Sequence, residues 1–277
     1  MADEAHTGLK WIMRAGYGAR GFIYILLGYL TLLAAFTSTQ ASGTGDALAT
    51  LRGQPLGIAA LWAIGLGLLA YMVWRVTAGI ADVEDHGTDG KGLVARTGQV
   101  VTGLIHGGIG ISVFGLAMGG GSGGGSGGAA EDWTQKLMAM PMGRYIVAAG
   151  ALILLGAGIY YAYKGYSGKY KEHLCASRST RKAEPLLKGG LIVYGILLGI
   201  VALSLGYAAL TADPSQAGGL GQALHSIREA AFGRILLGIA GLGLLGFALY
   251  NFVEAKYRII PRFAGPEVRS LADRALS

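Results

Sequence analysis

Few side chains in this chain have the type and position to do chemistry, and the first is Arg75. It stands about one to two turns inside the end of an otherwise apolar stretch, where a guanidinium either binds an anion or extends along the helix to the interface. Asp82, two turns further along the same face, and Glu84 are placed to neutralise it. His106 is the second. It follows Arg96 by ten residues, a spacing that puts it about 15 Å along a helix, near the midplane of a bilayer, between Gly103 and Gly107-Gly108. A histidine at that depth can relay protons or ligate haem, but no second histidine is expected there, and an imidazole hydrogen-bonded to a neighbouring helix is the commoner arrangement. Asn251 and Glu254, near the end of the last apolar stretch, are expected at the interface.

The sequence has no HExxH pair, no glycine-serine-glycine nucleophile elbow and no paired carboxylates inside an apolar stretch. Hydrolysis, metal chemistry and carboxylate-driven proton coupling therefore lack carriers, and no enzyme activity, cofactor or metal is expected. The single cysteine, Cys175, permits no internal disulfide and is read as structural.

The elements that must position these residues belong in lipid. Of the 277 residues, 52% are hydrophobic and 14% charged, against about 25% charged in soluble domains. The 23 Lys and Arg against 16 Asp and Glu give a net charge of +7. These basic residues lie between apolar segments rather than on a face with stacking aromatics, so they indicate membrane topology and not nucleic-acid binding. The lipid bilayer is the expected surrounding, and a membrane-protein partner is compatible with it.

Six apolar segments, at about Gly16 to Phe36, Leu56 to Ile80, Thr97 to Met118, Gly143 to Gly165, Leu186 to Thr211 and Gly233 to Glu254, are long enough to cross a hydrocarbon core of about 30 Å. The fold class is an all-α polytopic membrane protein, built as three helical hairpins over residues 14–82, 94–166 and 186–258. The hairpins share a template. Odd helices open with Arg14-Ala15-Gly16, Arg96-Thr97-Gly98 and Lys188-Gly189-Gly190, and each has a further glycine five residues on, at Gly21, Gly103 and Gly195. Even helices open on Gly57, Gly143 and Gly233, with Leu51, Leu137 and Ile227 six positions earlier in amphipathic lead-ins. Gly103 with Gly107 and Gly195 with Gly199 are small-xxx-small pairs expected to face other helices in a pseudo-threefold bundle. A basic residue at a helix N-terminus opposes the helix dipole, so insertion bias is the expected reason for Arg14, Arg96 and Lys188.

Lys and Arg concentrate in the N-terminal segment, the second and fourth loops and the C-terminal tail. Only Arg52, Lys136, Arg144, Arg228 and Arg234 lie on the other side. By the positive-inside rule both termini are cytoplasmic, and the first helix is expected to be a retained signal anchor. Tyr160, Tyr161, Tyr163, Tyr166 and Tyr170 are expected to form an interfacial belt, and Gly119 to Gly128 has the composition of a flexible tether.

Three features together, Trp74-Arg75 closing the second helix, the connection DVEDHGTDGKGLVAR from Asp82 to Arg96, and the closing FGRILLGIAGLGLLGFALYNFVEAKYR, resemble a bacterial membrane family catalogued only as a domain of unknown function, in which a transmembrane helix pair occurs three times. The resemblance covers about Ala15 to Ile259. It implies an inner-membrane protein with three repeats and imports no activity. Two function classes remain: a non-catalytic structural or accessory membrane component, and a small-solute or ion transporter. A cavity lined by both His106 and Arg75 would favour transport, and a closed contact would favour the accessory role.

Overall fold

The computed structural model describes residues 2–37, 39, 41–120, 134–263 and 270–272. It has six long helices: α1 (Ala2–Phe36), α2 (Gly57–Ala81), α3 (Gly90–Ala117), α4 (Gly143–Ser167), α5 (Arg178–Thr211) and α6 (Gly233–Tyr257). Each is long and apolar enough to cross a membrane, and a helix satisfies its own backbone where no water is available. The chain is an all-α polytopic membrane protein. Most of the glycine tract, residues 121–128, lies outside the described residues.

The odd helices begin earlier than hydropathy suggests. Asp89 caps α3 by accepting from Gly92 N at 2.8 Å, and Ser177 caps α5 by accepting from Thr180 N at 3.1 Å. Arg14, Arg96 and Lys188 are therefore well inside their helices, which removes the conflict with the dipole. Arg96 instead reaches the C-terminal end of α2, donating to Gly79 O at 2.7 Å and Ile80 O at 2.8 Å. A cation is favourable there.

All three even helices are entered by the same turn. Leu56, Met142 and Phe232 each adopt a left-handed conformation, with φ of 62°, 61° and 60°. The following glycine N–H donates three residues back, to Gln54, Met140 and Ala230, at 2.9 Å in each case. A Cβ on that glycine would collide with a backbone carbonyl of the lead-in: Leu51 O for Gly57, Leu137 O for Gly143, Arg228 O for Gly233. The template glycines are thus fixed by backbone contact.

The helices follow one another around the bundle in the order α3, α2, α1, α6, α5, α4. The tightest pairs are α2 with α3, α6 with α1, and α4 with α5. In each, the second template glycine of the odd helix, Gly21, Gly103 or Gly195, makes the approach. A Cβ on Gly21 would lie 2.9 Å from the Phe252 ring, on Gly103 3.1 Å from Arg75 Cβ, and on Gly195 2.5 Å from Gly158 O.

The expected threefold closure fails in the second repeat. Within the first and third repeats the two helices meet through small residues. Gly16 abuts Tyr71 and Gly67 abuts Ala19, while Gly190 abuts Gly246 and Gly243 abuts Val193. In the second repeat, the counterpart of Gly16 and Gly190 is Gly98, and a Cβ there meets nothing within 4 Å. The counterpart of Gly67 and Gly243 is Ile153, which is exposed. Among the described residues α3 and α4 form no substantial contact. A branched side chain where the other repeats have glycine holds two helix backbones apart. The bundle is an open ring, and among the described residues no α4 side chain enters its largest hydrophobic core.

Candidate functional site

α1 begins and α6 ends on the same side of the bundle, and an ion network closes that end. The backbone turns sharply after α2, where Asp82 (φ 50°) accepts from His86 N and Gly87 N, each at 2.9 Å. That turn directs Glu84 inward, with its side chain 4% exposed. Arg258, just past α6, donates to Glu84 at 2.6 Å and to Glu254 one turn earlier. Arg75 approaches the same Glu84 oxygen at 3.7 Å, while Gln99 of α3 donates to the other at 2.7 Å. Tyr250 donates to Glu254, and Lys164 of α4 donates to Tyr250 at 2.9 Å. Two carboxylates thus face two guanidinium groups, which ties the α2–α3 connection to the end of α6.

Burial pushes the Glu84 carboxyl up, but the Arg258 charge, the His86 hydrogen bond and Arg75 outweigh it and hold the carboxyl well below the ordinary range. Burial opposes the charge of Arg258 as well. Glu254 and Glu84 overcome that opposition and keep its pKa well above the ordinary value. Coulomb attraction strengthens as water is excluded, so each partner holds the other ionised.

Several residues differ from their sequence expectation. Asn251 and Glu254 are fully buried rather than interfacial, with Asn251 donating to Phe247 O at 2.7 Å. Of the expected tyrosine belt, Tyr160, Tyr163 and Tyr166 are exposed, but Tyr170 is buried and Tyr161 turns inward onto Tyr194, with ring centroids 5.1 Å apart. Among the described residues His106 makes no hydrogen bond across a helix contact: its Nδ1 donates to Thr102 O of its own helix at 2.8 Å, and its ring meets the edge of Tyr71 at 4.9 Å. Gly107 faces α2 as expected, where a Cβ would run into the Met72 side chain, whereas a Cβ on Gly199 would meet nothing within 4 Å. Cys175 lies in a short backbone bridge to Ser270, and burial pushes its thiol up, away from reactivity. Among the described residues no group of three or more His, Cys, Asp or Glu is placed to hold a metal ion.

The residue that sequence reading passed over is Arg20. By the positive-inside count it is a basic residue of the N-terminal segment, yet it is 2% exposed and lies in the middle of the bundle. Its Nη1 donates to Tyr71 Oη at 2.7 Å, and Tyr71 is ten residues from the end of α2, about 15 Å deep. The rings of Tyr71, Phe247 and Tyr24 surround the guanidinium at 4.7, 5.6 and 5.8 Å from their centroids. Among the described residues no carboxylate pairs with it, and its Nε and Nη2 have no hydrogen-bond partner. A cavity of about 40 Å³ adjoins it, lined also by Tyr24, Thr44, Leu68 and His106. Arg75 does not line this cavity. The available signal was depth: the template counterparts of Arg20 are Thr102 and Tyr194, both well inside their helices.

The comparisons agree with the repeat architecture. The chain is 28% identical over 270 residues to "Uncharacterized protein YxxB" of Bacillus subtilis (strain 168), an alignment covering 92% of this chain and 94% of that protein. No solved structure matches. Residues 15–82, 97–168 and 189–258 each match one family, and on those three segments the chain belongs to the family described as Domain of Unknown Function (DUF1206).

Proposed function

We propose that the protein is a non-catalytic accessory component of the bacterial inner membrane, both termini cytoplasmic, that docks a helix of another membrane protein between α3 and α4. The observation that carries this reading is Gly98. Its two template counterparts are covered by a neighbouring helix, and its own position is bare. Glycine inside a helix weakens it and is useful in lipid chiefly for close approach. A helix with small residues at the contact fits the opening, and the opposing glycines of the other repeats are the pattern for it. The closed ion network supports a rigid body rather than a catalyst.

Photocrosslinkable residues placed at Gly98 and Ile153, in native membranes, test the reading. Both positions should give one discrete protein adduct, and Gly98→Leu should abolish the adduct formed from position 153. Leu242, exposed on α6, should give lipid adducts only. Lipid adducts alone at Gly98 and Ile153 would sink the proposal. Orientation is read separately: reporter fusions at Asp46, Glu131 and Gln216 should be outside the cytoplasm, and those at Gly90 and Ser177 inside.

The cavity beside Arg20 favours a second reading, passage of a small ion. Flux through the purified protein in liposomes decides that reading, and its absence leaves the accessory role standing.

A further inference from the structure

We propose that Arg20 holds a small monovalent anion of halide size, chloride first among them, in the cavity it shares with Tyr24, Thr44 and His106. The site goes beyond the accessory reading and does not depend on it.

Hydrogen-bond chemistry points to an acceptor. Nε and Nη2 of Arg20 are buried donors without a partner, and a guanidinium cannot shed its proton to escape the difficulty. Tyr71 accepts from Arg20, which leaves its own hydroxyl proton to give. Tyr24 donates to Tyr194 at 2.9 Å, which leaves the Tyr194 proton in the same position. His106 spends Nδ1–H on Thr102 O. Of these groups only Arg20, Tyr24 and His106 line the cavity, and His106, with its proton on Nδ1, has only an acceptor left at Nε2. The unmatched donors are therefore Nε and Nη2 of Arg20, and buried donors of that kind are matched in folded proteins by a ligand or water.

Charge narrows the choice. The carboxylates at the end of the bundle are engaged with Arg258 and Arg75, and among the described residues none pairs with Arg20. The three aromatic rings shield the guanidinium through their π faces, yet rings leave the in-plane N–H groups unmatched. A lone charge in a low-dielectric interior is far more costly than a paired one, so a counter-ion is more stabilising here than a neutral water. Thr44, the first residue of the helix Thr44–Arg52, also lines the cavity; the dipole of that helix end is already met by Asp46 in its first turn, which accepts from Gly43 N at 3.2 Å, so the attraction for an anion rests on Arg20.

Volume sets the size. A water needs roughly 10–15 Å³ on this measure, so about 40 Å³ takes a halide with one or two waters. It does not take a carboxylic acid of several heavy atoms.

The test uses the full chain purified in detergent with sodium gluconate as the background salt. Chloride and bromide titrations at constant ionic strength should raise Tm saturably, by on the order of 5 °C at a hundredfold excess over Kd. Arg20→Gln should abolish the increment. Bromide located by anomalous scattering should lie within hydrogen-bond reach of Arg20 Nε or Nη2, a readout on the wild-type chain that survives even if Arg20→Gln does not fold. Equal Tm in gluconate and chloride, a halide increment intact in Arg20→Gln, or bromide bound only elsewhere would each overturn the proposal. Liposome flux is scored apart from binding: a bound halide without flux supports this site and not the transport reading.

Discussion

Arg258 and Glu84 meet at 2.6 Å across 174 residues of sequence, each with its side chain only 4% exposed. The contact joins the end of α6 to the connection after α2, so the first and last repeats are locked together at one end of the bundle. Removing one partner strands the other charge where water cannot reach it. Glu84→Ala should therefore lower stability by about 3–5 kcal/mol. Arg258→Met should cost as much or more, because it also strands Glu254, and Glu84→Ala combined with Arg258→Met should cost less than the sum of the two single losses. Thermal denaturation of the four proteins in a double-mutant cycle reads the coupling. Additive losses would show that the two residues act independently.

The same end of the protein predicts a two-part response to acid. Burial, with Arg258 and Lys164 nearby, pushes His173 from its ordinary value of 6.5 down to about 4. The unfolded chain then binds a proton between those values that the folded chain does not. Stability from neutral His173 is full above about pH 6.5 and is lost as pH falls toward 4. Glu84 is also depressed, from 4.5 to well below it, so its contribution is present above that value and is lost only at lower pH. His173→Gln should flatten the difference in Tm between pH 7 and pH 5, leaving the steeper fall below pH 4 in place. An unchanged slope in that variant would place the acid response on other groups.

Hydropathy and template spacing made the six helices and the three repeats legible, because both are local properties of the chain, whereas the family was read from resemblance. Gly57, Gly143 and Gly233 were legible for the same reason: each is fixed by a carbonyl five or six residues earlier. Which helices touch was not local. The open ring depends on Ile153 standing where Gly67 and Gly243 stand in the other repeats, a single difference that hydropathy treats as neutral. Arg20 was misplaced because basic residues near a helix end ordinarily extend toward the headgroups. Here Tyr24, Tyr71 and Phe247, from three helices, hold it inside. Asn251 and Glu254 were placed at the interface because their partners lie past α6 and on α6 itself, a turn beyond what spacing reveals.

The glycines that sequence analysis grouped together should respond differently to leucine. Gly195 is the most demanding, since a Cβ would fall 2.5 Å from Gly158 O and 2.6 Å from Ala162 N, both backbone atoms of α4. Gly103 meets Arg75 Cβ at 3.1 Å and Met72 O at 3.2 Å, an approach that a small shift relieves. Gly199 and Gly98 meet nothing. Leucine should cost about 3 kcal/mol or more at Gly195, about 1–3 at Gly103, and little at Gly199. Melting in detergent gives the ranking. Equal losses at Gly195 and Gly199 would contradict the α4–α5 packing.

The entry turns of α2, α4 and α6 yield the last prediction, because they pair a strained residue with an irreplaceable one. Leu56, Met142 and Phe232 are bulky, exposed and left-handed. That conformation costs a non-glycine residue roughly 1–2 kcal/mol. Replacing any of them by glycine relieves that strain and adds unfolded-state entropy of about 0.5–1 kcal/mol, so stability in detergent should hold or rise by up to about 1 kcal/mol. The neighbouring glycines should behave oppositely. At Gly57, Gly143 and Gly233 even a methyl group enters a lead-in carbonyl, and the carbonyl belongs to a backbone turn that cannot rotate away. Alanine there should destabilise by more than about 2 kcal/mol at all three positions, although alanine is otherwise the better helix former. Paired melting curves of Phe232→Gly and Gly233→Ala are the decisive comparison, and a stabilising Gly233→Ala would refute this geometry of entry.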